Sequence, residues 1–265
     1  MSGITKRFLD ITAGDNINFS LFAGEICALL GENGAGKTTL MNILFGYYTC
    51  DEGQIFIKGK RVNLSAPKDA IGCGVGMIRQ HFALVPSQTV LENIIVGTGS
   101  GNGIFLDLKS ARRDIVSLQE RFGLQVDPDA KIWTLSVGEQ QKVEILKALY
   151  REVDILIMDE PTAVLAPAET DELFKTLKIL VKEGCSVVFI SHKLNEVMDI
   201  SDRIVVLRAG RVVAERKTAE TDTRELANLM VGRELLDNFE KKHIAAGRPV
   251  LEIEHLSALN DKHLT

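Results

Sequence analysis

The sequence lacks any long apolar run, although 45% of its 265 residues are hydrophobic. Its uninterrupted apolar stretches, such as "ICALL" and "VVFI", fall far short of the roughly 20 residues that a membrane-spanning helix needs. The first ten residues, "MSGITKRFLD", contain no apolar core of a signal peptide. We therefore expect a chain without a membrane span or a secretion signal.

Cysteine is scarce, and positive charge is not in excess. The four cysteines (Cys27, Cys50, Cys73 and Cys185) show no C-x-x-C spacing, which disfavours a zinc site. Two of them lie in or beside predicted strands, as reduced and buried thiols of a cytoplasmic protein do. The net charge of −5 predicts no basic surface, so we expect no nucleic-acid partner.

One strong motif is present, the stretch "GENGAGKTTL" from Gly31 to Leu40. It follows "EICALL", which is typical of a buried strand, and it opens "TTLMNILFG", which is typical of a helix ended by Gly46. Glycines let such a loop turn its backbone N–H groups onto phosphates, Lys37 reaches the outer phosphates, and the Thr38 hydroxyl can bind Mg²⁺. A glycine-rich turn with a chance lysine is the alternative, and the strand–loop–helix context favours nucleotide binding. The residues predicted to hold the nucleotide here are Gly31, Asn33, Gly34, Ala35, Gly36, Lys37, Thr38 and Thr39.

Apolar strands alternate with helices along most of the chain. "GVGMI", "VDILIM" and "SVVFI" read as strands, "GQIFIKGKRV" as a strand or a hairpin, and "RIVVLRAGRVVAE" as a hairpin. A helix is predicted from about Ala168 to Glu183, another in "TRELANLMVG", and a mostly helical stretch from about Thr89 to Tyr150. This order predicts an α/β fold, a mostly parallel sheet flanked by helices with an antiparallel β portion and an inserted α-helical subdomain.

We expect residues 1–234 to form one domain, with a core of about 1–85 and 151–234 and a helical subdomain of about 86–150. Residues 235–247 are polar and charged, as a linker is, and "RPVLEIEHLSAL" then begins a fresh alternating strand. We interpret residues 248–265 as the start of a second domain. The alternative is a strand added to the edge of the first sheet.

Polar residues follow three of the predicted strands. Asp159 and Glu160 end "ILIMDE", Gln80 comes shortly after "GVGMI", and His192 comes shortly after "SVVFI". Parallel strands bring their carboxyl ends to one edge of the sheet, beside the phosphate loop. There Asp159 can hold Mg²⁺ through water, and Glu160 can polarise an attacking water. The stretch "LSVGEQQ" adds an unusual helix start.

With these residues in view, the chain resembles the nucleotide-binding domains of ABC transporters over nearly its whole length. Gly31–Thr38 matches their Walker A loop, Leu135–Glu139 their signature, and Asp159 with Glu160 their Walker B pair. The stretches "LSVGEQQKVEILKALY" and "DEPTAVLAP" are similar to the matching stretches in the ATPases of bacterial importers for simple sugars and nucleosides. Those ATPases commonly hold two such domains in one polypeptide, which agrees with the orphan strand near Val250.

The resemblance also implies a role for each site residue. Gln80 matches the Q-loop, His192 the switch histidine, and Phe8, 29 residues before Lys37, the aromatic that stacks on adenine. It implies ATP and Mg²⁺ as cofactors. The implied catalytic residues are Glu160, His192 and Gln80, the implied Mg²⁺ ligands are Thr38, Gln80 and Asp159, and the residues facing the ATP of an opposite domain are Ser136, Gly138 and Glu139.

Several of these residues have a structural alternative. Ser136 and Glu139 are also spaced as a capping box at a helix start. Phe8 could be a core residue, and an isolated histidine such as His192 is usually structural. The chain departs from the common Leu-Ser-Gly-Gly-Gln signature at Val137 and Glu139, and it has Ala166 where the family usually has an aspartate. We interpret these departures as subfamily character that weakens ATP binding at this face.

The resemblance implies an importer subunit that turns ATP-driven domain closure into uptake of a small solute. Its implied partners are a second nucleotide-binding domain (in the same polypeptide or a second copy), transmembrane permease subunits and, indirectly, a substrate-binding protein. It implies a place on the cytoplasmic face of the cell membrane, held through the permease. The alternative is a soluble tandem ABC ATPase of the ribosome or of DNA repair; the short linker and the absence of a long insertion before the signature disfavour it.

Overall fold

The structure is a computed structural model that describes residues 1–98, 107–232, 251–255 and 257. The chain divides into two units, Met1–Glu234 and Leu235–Thr265. The first unit contains two β-sheets and eight α-helices in its described residues. The α/β class predicted from the sequence is confirmed.

The larger sheet has six strands in the order β10-β9-β3-β8-β7-β6. The strands are β3 (Ile26–Leu30), β6 (Val75–Ile78), β7 (Ile155–Asp159), β8 (Ser186–Ile190), β9 (Arg203–Arg208) and β10 (Arg211–Lys217). Every pairing is parallel except that of β9 with β10. All residues of β3 and β8 are buried, because a parallel strand covered on both faces has no solvent side. The loops that leave these strands therefore meet at one edge.

The smaller sheet is antiparallel, with the order β2-β1-β4-β5. Its strands are β1 (Ser2–Phe8), β2 (Ile11–Ile17), β4 (Glu52–Ile57) and β5 (Lys60–Val62). The sequence predicted a strand or a hairpin over β4 and β5, and the structure has the hairpin, whereas β2 was not predicted. The β2 sequence "ITAGDNI" has too few apolar residues to show the period of a strand, and its pairing with β1 has irregular register.

The eight helices are α1 (Lys37–Leu44), α2 (Pro67–Gly72), α3 (Val90–Ile95), α4 (Leu108–Phe122), α5 (Val137–Tyr150), α6 (Pro167–Lys182), α7 (Leu194–Ile200) and α8 (Thr223–Val231). Helices α3, α4 and α5 pack on one another and correspond to the predicted helical subdomain. The Asp107 side chain accepts hydrogen bonds from the first turn of α4, and Gly123 ends that helix in a left-handed conformation. The sequence predicted α6 to within one residue at each end.

Buried side chains form three clusters around the large sheet. One joins α3–α6 to β6, β7 and β8, a second lies around α1 and contacts both sheets, and a third lies under α7 and α8. The buried face of α6 includes Leu173, Leu177 and Leu180, as its helical period predicted. All four cysteines are free thiols, and burial raises the pKa of Cys27 to about 12. The large sheet is thus covered on both faces.

Beyond residue 232, only residues 251–255 and 257 are described. The predicted linker, residues 235–247, lies outside the described residues. Leu251–Glu254 are exposed and are not assigned to a strand. The start of a second domain at residues 248–265 stays a prediction.

Candidate functional site

The phosphate loop connects the buried strand β3 to the N-terminus of α1. Gly36 is the N-cap of α1, with φ of 102°, and a Cβ atom there would lie 2.3 Å from the Ala13 carbonyl oxygen. At Gly31, a Cβ atom would lie 2.3 Å from the Leu207 carbonyl oxygen. Glycine is therefore required at both positions. Since glycine has no side chain to cap the helix, the N–H groups of the first turn of α1 are open to an anion.

The Lys37 side chain is folded over its own loop. Its Nζ atom donates to the Gly31 carbonyl at 2.7 Å and to the Glu32 carbonyl at 3.0 Å. Burial lowers the pKa of Lys37, while the charges of Glu160 and Asp159 raise it. The ammonium group is thus held at the loop, in reach of a bound phosphate.

Two carboxylates lie at the end of β7, as predicted. Asp159 Oδ2 accepts a hydrogen bond of 3.3 Å from the Thr38 hydroxyl, so the first turn of α1 contacts β7 directly. Burial raises the pKa of Asp159, and the Thr38 hydrogen bond and the Lys37 charge oppose that rise. A hydroxyl and a carboxylate at this separation form the type of oxygen-ligand set that Mg²⁺ prefers.

Glu160 and His192 are in direct contact. Nδ1 of His192 lies 2.9 Å from Oε1 of Glu160, with 50% of the His192 side chain exposed and 18% of the Glu160 side chain. The Glu160 N–H donates to the Ile190 carbonyl at the end of β8. Glu160 has a φ of 49°, in the left-handed region that non-glycine residues rarely adopt. Such backbone conformations are concentrated at functional sites, where the surroundings maintain them.

Lys37, Thr38, Asp159 and Glu160 line one cleft of about 650 Å³, which is the size of a small-molecule site, whereas Gly31 and His192 are not among its lining residues. Gln80, two residues after β6, is exposed and belongs to the same lining. The predicted residues that the cleft brings together are Asn33, Gly34, Ala35, Gly36, Lys37, Thr38, Thr39, Gln80, Asp159 and Glu160. The sequence reasoning did not predict that Ile11, Thr12, Ala13, Ala209 and Gly210 also line it.

Phe8 is not part of that lining among the described residues. Its ring is 37% exposed and packs edge-to-face against Tyr48, with 5.2 Å between the ring centroids. The Lys6 ammonium lies 5.3 Å from the centroid of the same ring. The role of Phe8 in adenine stacking stays a prediction. Residues of β2, and not Phe8, line the cleft beside the phosphate loop, and β2 carries no recognisable motif.

The signature stretch forms the capping box that its spacing allows. Ser136 is the N-cap of α5, its hydroxyl oxygen accepts from the Glu139 N–H at 3.3 Å, and Glu139 Oε2 accepts from the Ser136 N–H at 2.8 Å. A hydroxyl that accepts in this way still has its own hydrogen to donate. The capping interpretation and a phosphate contact are therefore compatible at Ser136.

The signature residues lie in a different cleft from the phosphate loop. Ser136, Gly138 and Glu139 line a space of about 790 Å³ between α4, α5 and α6. A Cβ atom on Gly138 would lie 2.3 Å from Oε1 of Glu169, so the carboxylate of Glu169 packs directly over this glycine. Within this chain, the signature residues and Lys37 are not brought to one cleft among the described residues.

A profile of the ABC transporter family matches residues 14–163, more than half of the chain. The matched range includes the phosphate loop, the signature helix and the carboxylates of β7. The chain belongs to the ABC transporter family. It is a nucleotide-binding protein of the cassette type, as the resemblance implied.

Curated relatives with similar sequences include importer components. The chain is 52% identical over 260 residues to the nucleoside import ATP-binding protein NupA of Lactococcus lactis, covering 97% of this chain and 51% of NupA. It is 42% identical over 260 residues to the ribose import ATP-binding protein RbsA of Caldanaerobacter subterraneus, covering 97% of this chain and 52% of RbsA. The chain thus spans about half the length of the curated relatives it matches.

Solved ABC cassettes share the fold. The ADP conformation of MJ1267, an ATP-binding cassette of an ABC transporter, has a TM-score of 0.75 and 26% identity, covering 87% of this chain and 93% of that one. The dimeric structure of MJ0796, a bacterial ABC transporter cassette, has a TM-score of 0.72 and 28% identity, covering 82% and 97%. The predicted cassette fold, a P-loop NTPase core with an added helical subdomain, is confirmed.

No helix in residues 1–98, 107–232, 251–255 or 257 is both long enough and apolar enough to cross a bilayer.

Proposed function

We propose that this chain is the ATP-binding and ATP-hydrolysing part of an importer for a small solute, a simple sugar or a nucleoside. The observation that carries the proposal is the single cleft that joins Lys37, Thr38, Gln80, Asp159 and Glu160. The relatives support the cargo class, since their names give nucleoside, ribose, glucose, guanosine and galactose import.

In this proposal the phosphate chain of ATP lies against the open N-terminus of α1. The Lys37 ammonium group gives up its hydrogen bond to one backbone carbonyl and donates to a phosphate oxygen instead, which neutralises the charge of the outer phosphates. Thr38, Gln80 and Asp159 would hold Mg²⁺, which neutralises charge on the β- and γ-phosphates when it is bound.

Glu160 orients the attacking water, and its carboxylate is the group that accepts the proton. His192 holds Oε1 of Glu160 through Nδ1, and its ring is half-exposed. Glu160 has a left-handed backbone conformation, and it lines the cleft.

A second domain completes the site in this proposal. The free hydroxyl hydrogen of Ser136 and the N-terminus of α5 suit a γ-phosphate that is held by another domain. The separation of the two clefts within this chain and the dimeric cassette MJ0796 support a site shared between two domains. Closure on ATP and opening after hydrolysis are then the motion that drives transport.

The permease partner would engage the groove beside Gln80. A groove of about 180 Å³ is lined by residues of the Gln80 loop and of α5, including Arg79, Ala83, Glu144 and Lys147. The chain would be held at the cytoplasmic face of the cell membrane through this contact, and the substrate-binding protein would act on it indirectly.

Two variants test the proposal. Lys37→Ala is expected to abolish ATP binding in calorimetry, because the ammonium group is the main cation at the loop. Glu160→Gln is expected to lower turnover by about a hundredfold or more while ATP binding survives, since a general base is lost. Lys58→Ala, which removes an exposed ion pair with Asp154, is the matched control. Unchanged affinity in Lys37→Ala, or normal hydrolysis in Glu160→Gln, would contradict the assigned roles.

A further inference from the structure

Thr162, Lys193 and Glu196 form a hydrogen-bonded cluster beside the Glu160–His192 pair. The Lys193 ammonium donates to the Thr162 carbonyl at 2.9 Å and to Glu196 Oε1 at 2.9 Å. The Thr162 hydroxyl donates to Glu196 Oε2. The cluster joins the loop after β7 to the start of α7, and we call it the loop clamp.

Two residues of the loop clamp are close in sequence to Glu160 and His192. Thr162 is two residues after Glu160, and Lys193 directly follows His192. The parallel pairing of β7 and β8 ends at Asp159 and Ile190, and the Glu160 N–H to Ile190 carbonyl bond is the last backbone link between these segments in the described chain. Beyond that bond, side chains hold the two loops together.

Burial and charge make this cluster different from an ordinary surface ion pair. Thr162 is 2% exposed, and the Glu196 side chain is 15% exposed. The hydroxyl and the carbonyl of Thr162 are both used, and one ammonium group spans a carbonyl and a carboxylate, so the charge of Glu196 is neutralised locally. The Lys193 side chain is 41% exposed, so the shielding from water comes from the Thr162 and Glu196 side of the cluster, where hydrogen bonds hold a geometry better than fully exposed pairs do.

None of the three residues lines the cleft of the phosphate loop among the described residues. Their link to it runs along the chain through Glu160, which lines the cleft, and through His192, whose Nδ1 lies 2.9 Å from Glu160 Oε1. We propose that the loop clamp is a positioning device, in which Lys193, Glu196 and Thr162 keep the His192 ring on the Glu160 carboxylate. This inference rests on the proposed ATPase function for its catalytic consequence, whereas its geometric consequence is independent of it.

The geometric consequence is tested by NMR of the full chain with labelled histidine. Lys193→Met is expected to shift the ring resonances of His192, identified by their loss in His192→Ala, while the other four histidines keep theirs. Thr162→Val should give the same shift, and Thr162→Ser, which keeps the hydroxyl, should restore the wild-type position. Lys217→Met removes an exposed pair of the same i,i+3 spacing with Glu220 and should change nothing at His192. Unmoved His192 resonances in Lys193→Met and Thr162→Val would overturn the proposal.

The catalytic consequence is tested by a double-mutant cycle on ATP hydrolysis. Lys193→Met is expected to lower kcat by about tenfold with KM for ATP within about twofold, because it misplaces a catalytic pair that does not bind the nucleotide. In the His192→Ala background the same change should have almost no further effect on kcat. Equal losses in both backgrounds would show that Lys193 acts elsewhere and would overturn the positioning role. If no form of the chain hydrolyses ATP, the proposed function fails, while the His192 resonances still decide the loop clamp.

Discussion

At the scale of single residues, Glu144 is an unusual charge in the interior. It is 7% exposed on α5, and its Oε1 accepts from the Ala83 N–H at 2.8 Å. Lys147, one turn further on, donates to the Ala83 carbonyl at 3.0 Å. Two side chains of one helix thus hold both backbone groups of a residue three positions after Gln80, and they fix the course of that loop.

Burial raises the pKa of Glu144, and the charges of Lys147 and Arg151 with the Ala83 N–H oppose that rise. The native state therefore keeps this proton to a higher pH than the unfolded chain does. Between the two pKa values the native state binds more protons, so the free energy of unfolding falls as pH rises above the ordinary glutamate value of 4.5.

Glu144→Gln keeps an acceptor for Ala83 but removes the titration. We expect the variant to gain stability relative to the wild type as pH rises from about 4 to about 8, with the gain levelling off above the native pKa. Urea unfolding of both chains across this range measures the difference, and Glu120→Gln, on the exposed face of α4, is the control. A difference that does not vary with pH would show that Glu144 does not titrate above its ordinary range.

At the scale of elements, α5 connects regions that are far apart in the sequence. The helix begins directly after Ser136. Its Glu144 side chain accepts a hydrogen bond from the Ala83 N–H, and its Gln141 side chain donates from Nε2 to the Pro161 carbonyl at 2.9 Å. Gln141 is 2% exposed, and Pro161 directly follows Glu160. The helix that starts at the signature is thus bonded to the segments that carry Gln80 and Glu160.

Gln141→Ala tests this connection. It leaves the Pro161 carbonyl without its partner, so we expect a loss of about 1–3 kcal/mol in the free energy of unfolding. Gln140→Ala is the matched control, because Gln140 donates locally to the Leu135 carbonyl, and its loss should cost about 1 kcal/mol or less. Urea unfolding measures both, and equal losses would show that the Gln141 contact adds nothing beyond a local bond.

At the scale of the whole molecule, the phosphate loop and the signature residues lie in two separate clefts among the described residues. If one ATP is bound between the phosphate loop of one copy and the signature of another, activity depends on association. The specific ATPase activity of the wild-type chain is then expected to rise with protein concentration.

A mixing experiment distinguishes a shared site from a complete one. Lys37→Ala damages the phosphate loop, and Ser136→Asp keeps a helix cap while it places a negative charge before the γ-phosphate. Each variant alone should be inactive, and an equimolar mixture should recover about a quarter of wild-type activity, because half of the pairs have one intact site. A mixture as inactive as its parts, together with wild-type turnover independent of concentration, would contradict the shared site.

The sequence predictions succeeded where the local pattern of apolar residues was strong. The strands β3, β7 and β8 were found because buried parallel strands are continuous apolar runs, and α6 because its apolar period is regular. The placement of Glu160 beside His192 followed from a topological rule, since the carboxyl ends of parallel neighbours meet. The strand β2 and the cleft residues Ile11, Thr12 and Ala13 were missed, because an irregular antiparallel edge strand leaves no period in the sequence.

The sequence by itself determined the family, the phosphate loop, the carboxylates of β7 and the alternation of buried strands with helices around them, because each of these is carried by neighbouring residues or by a fixed spacing. Tertiary structure alone decided the contacts between distant segments: Gln141 with Pro161, Glu144 with Ala83, Lys193 with Thr162, and Glu169 over Gly138. Such contacts depend on where the ends of buried strands and helices come together. That is a property of packing, and no local pattern encodes it.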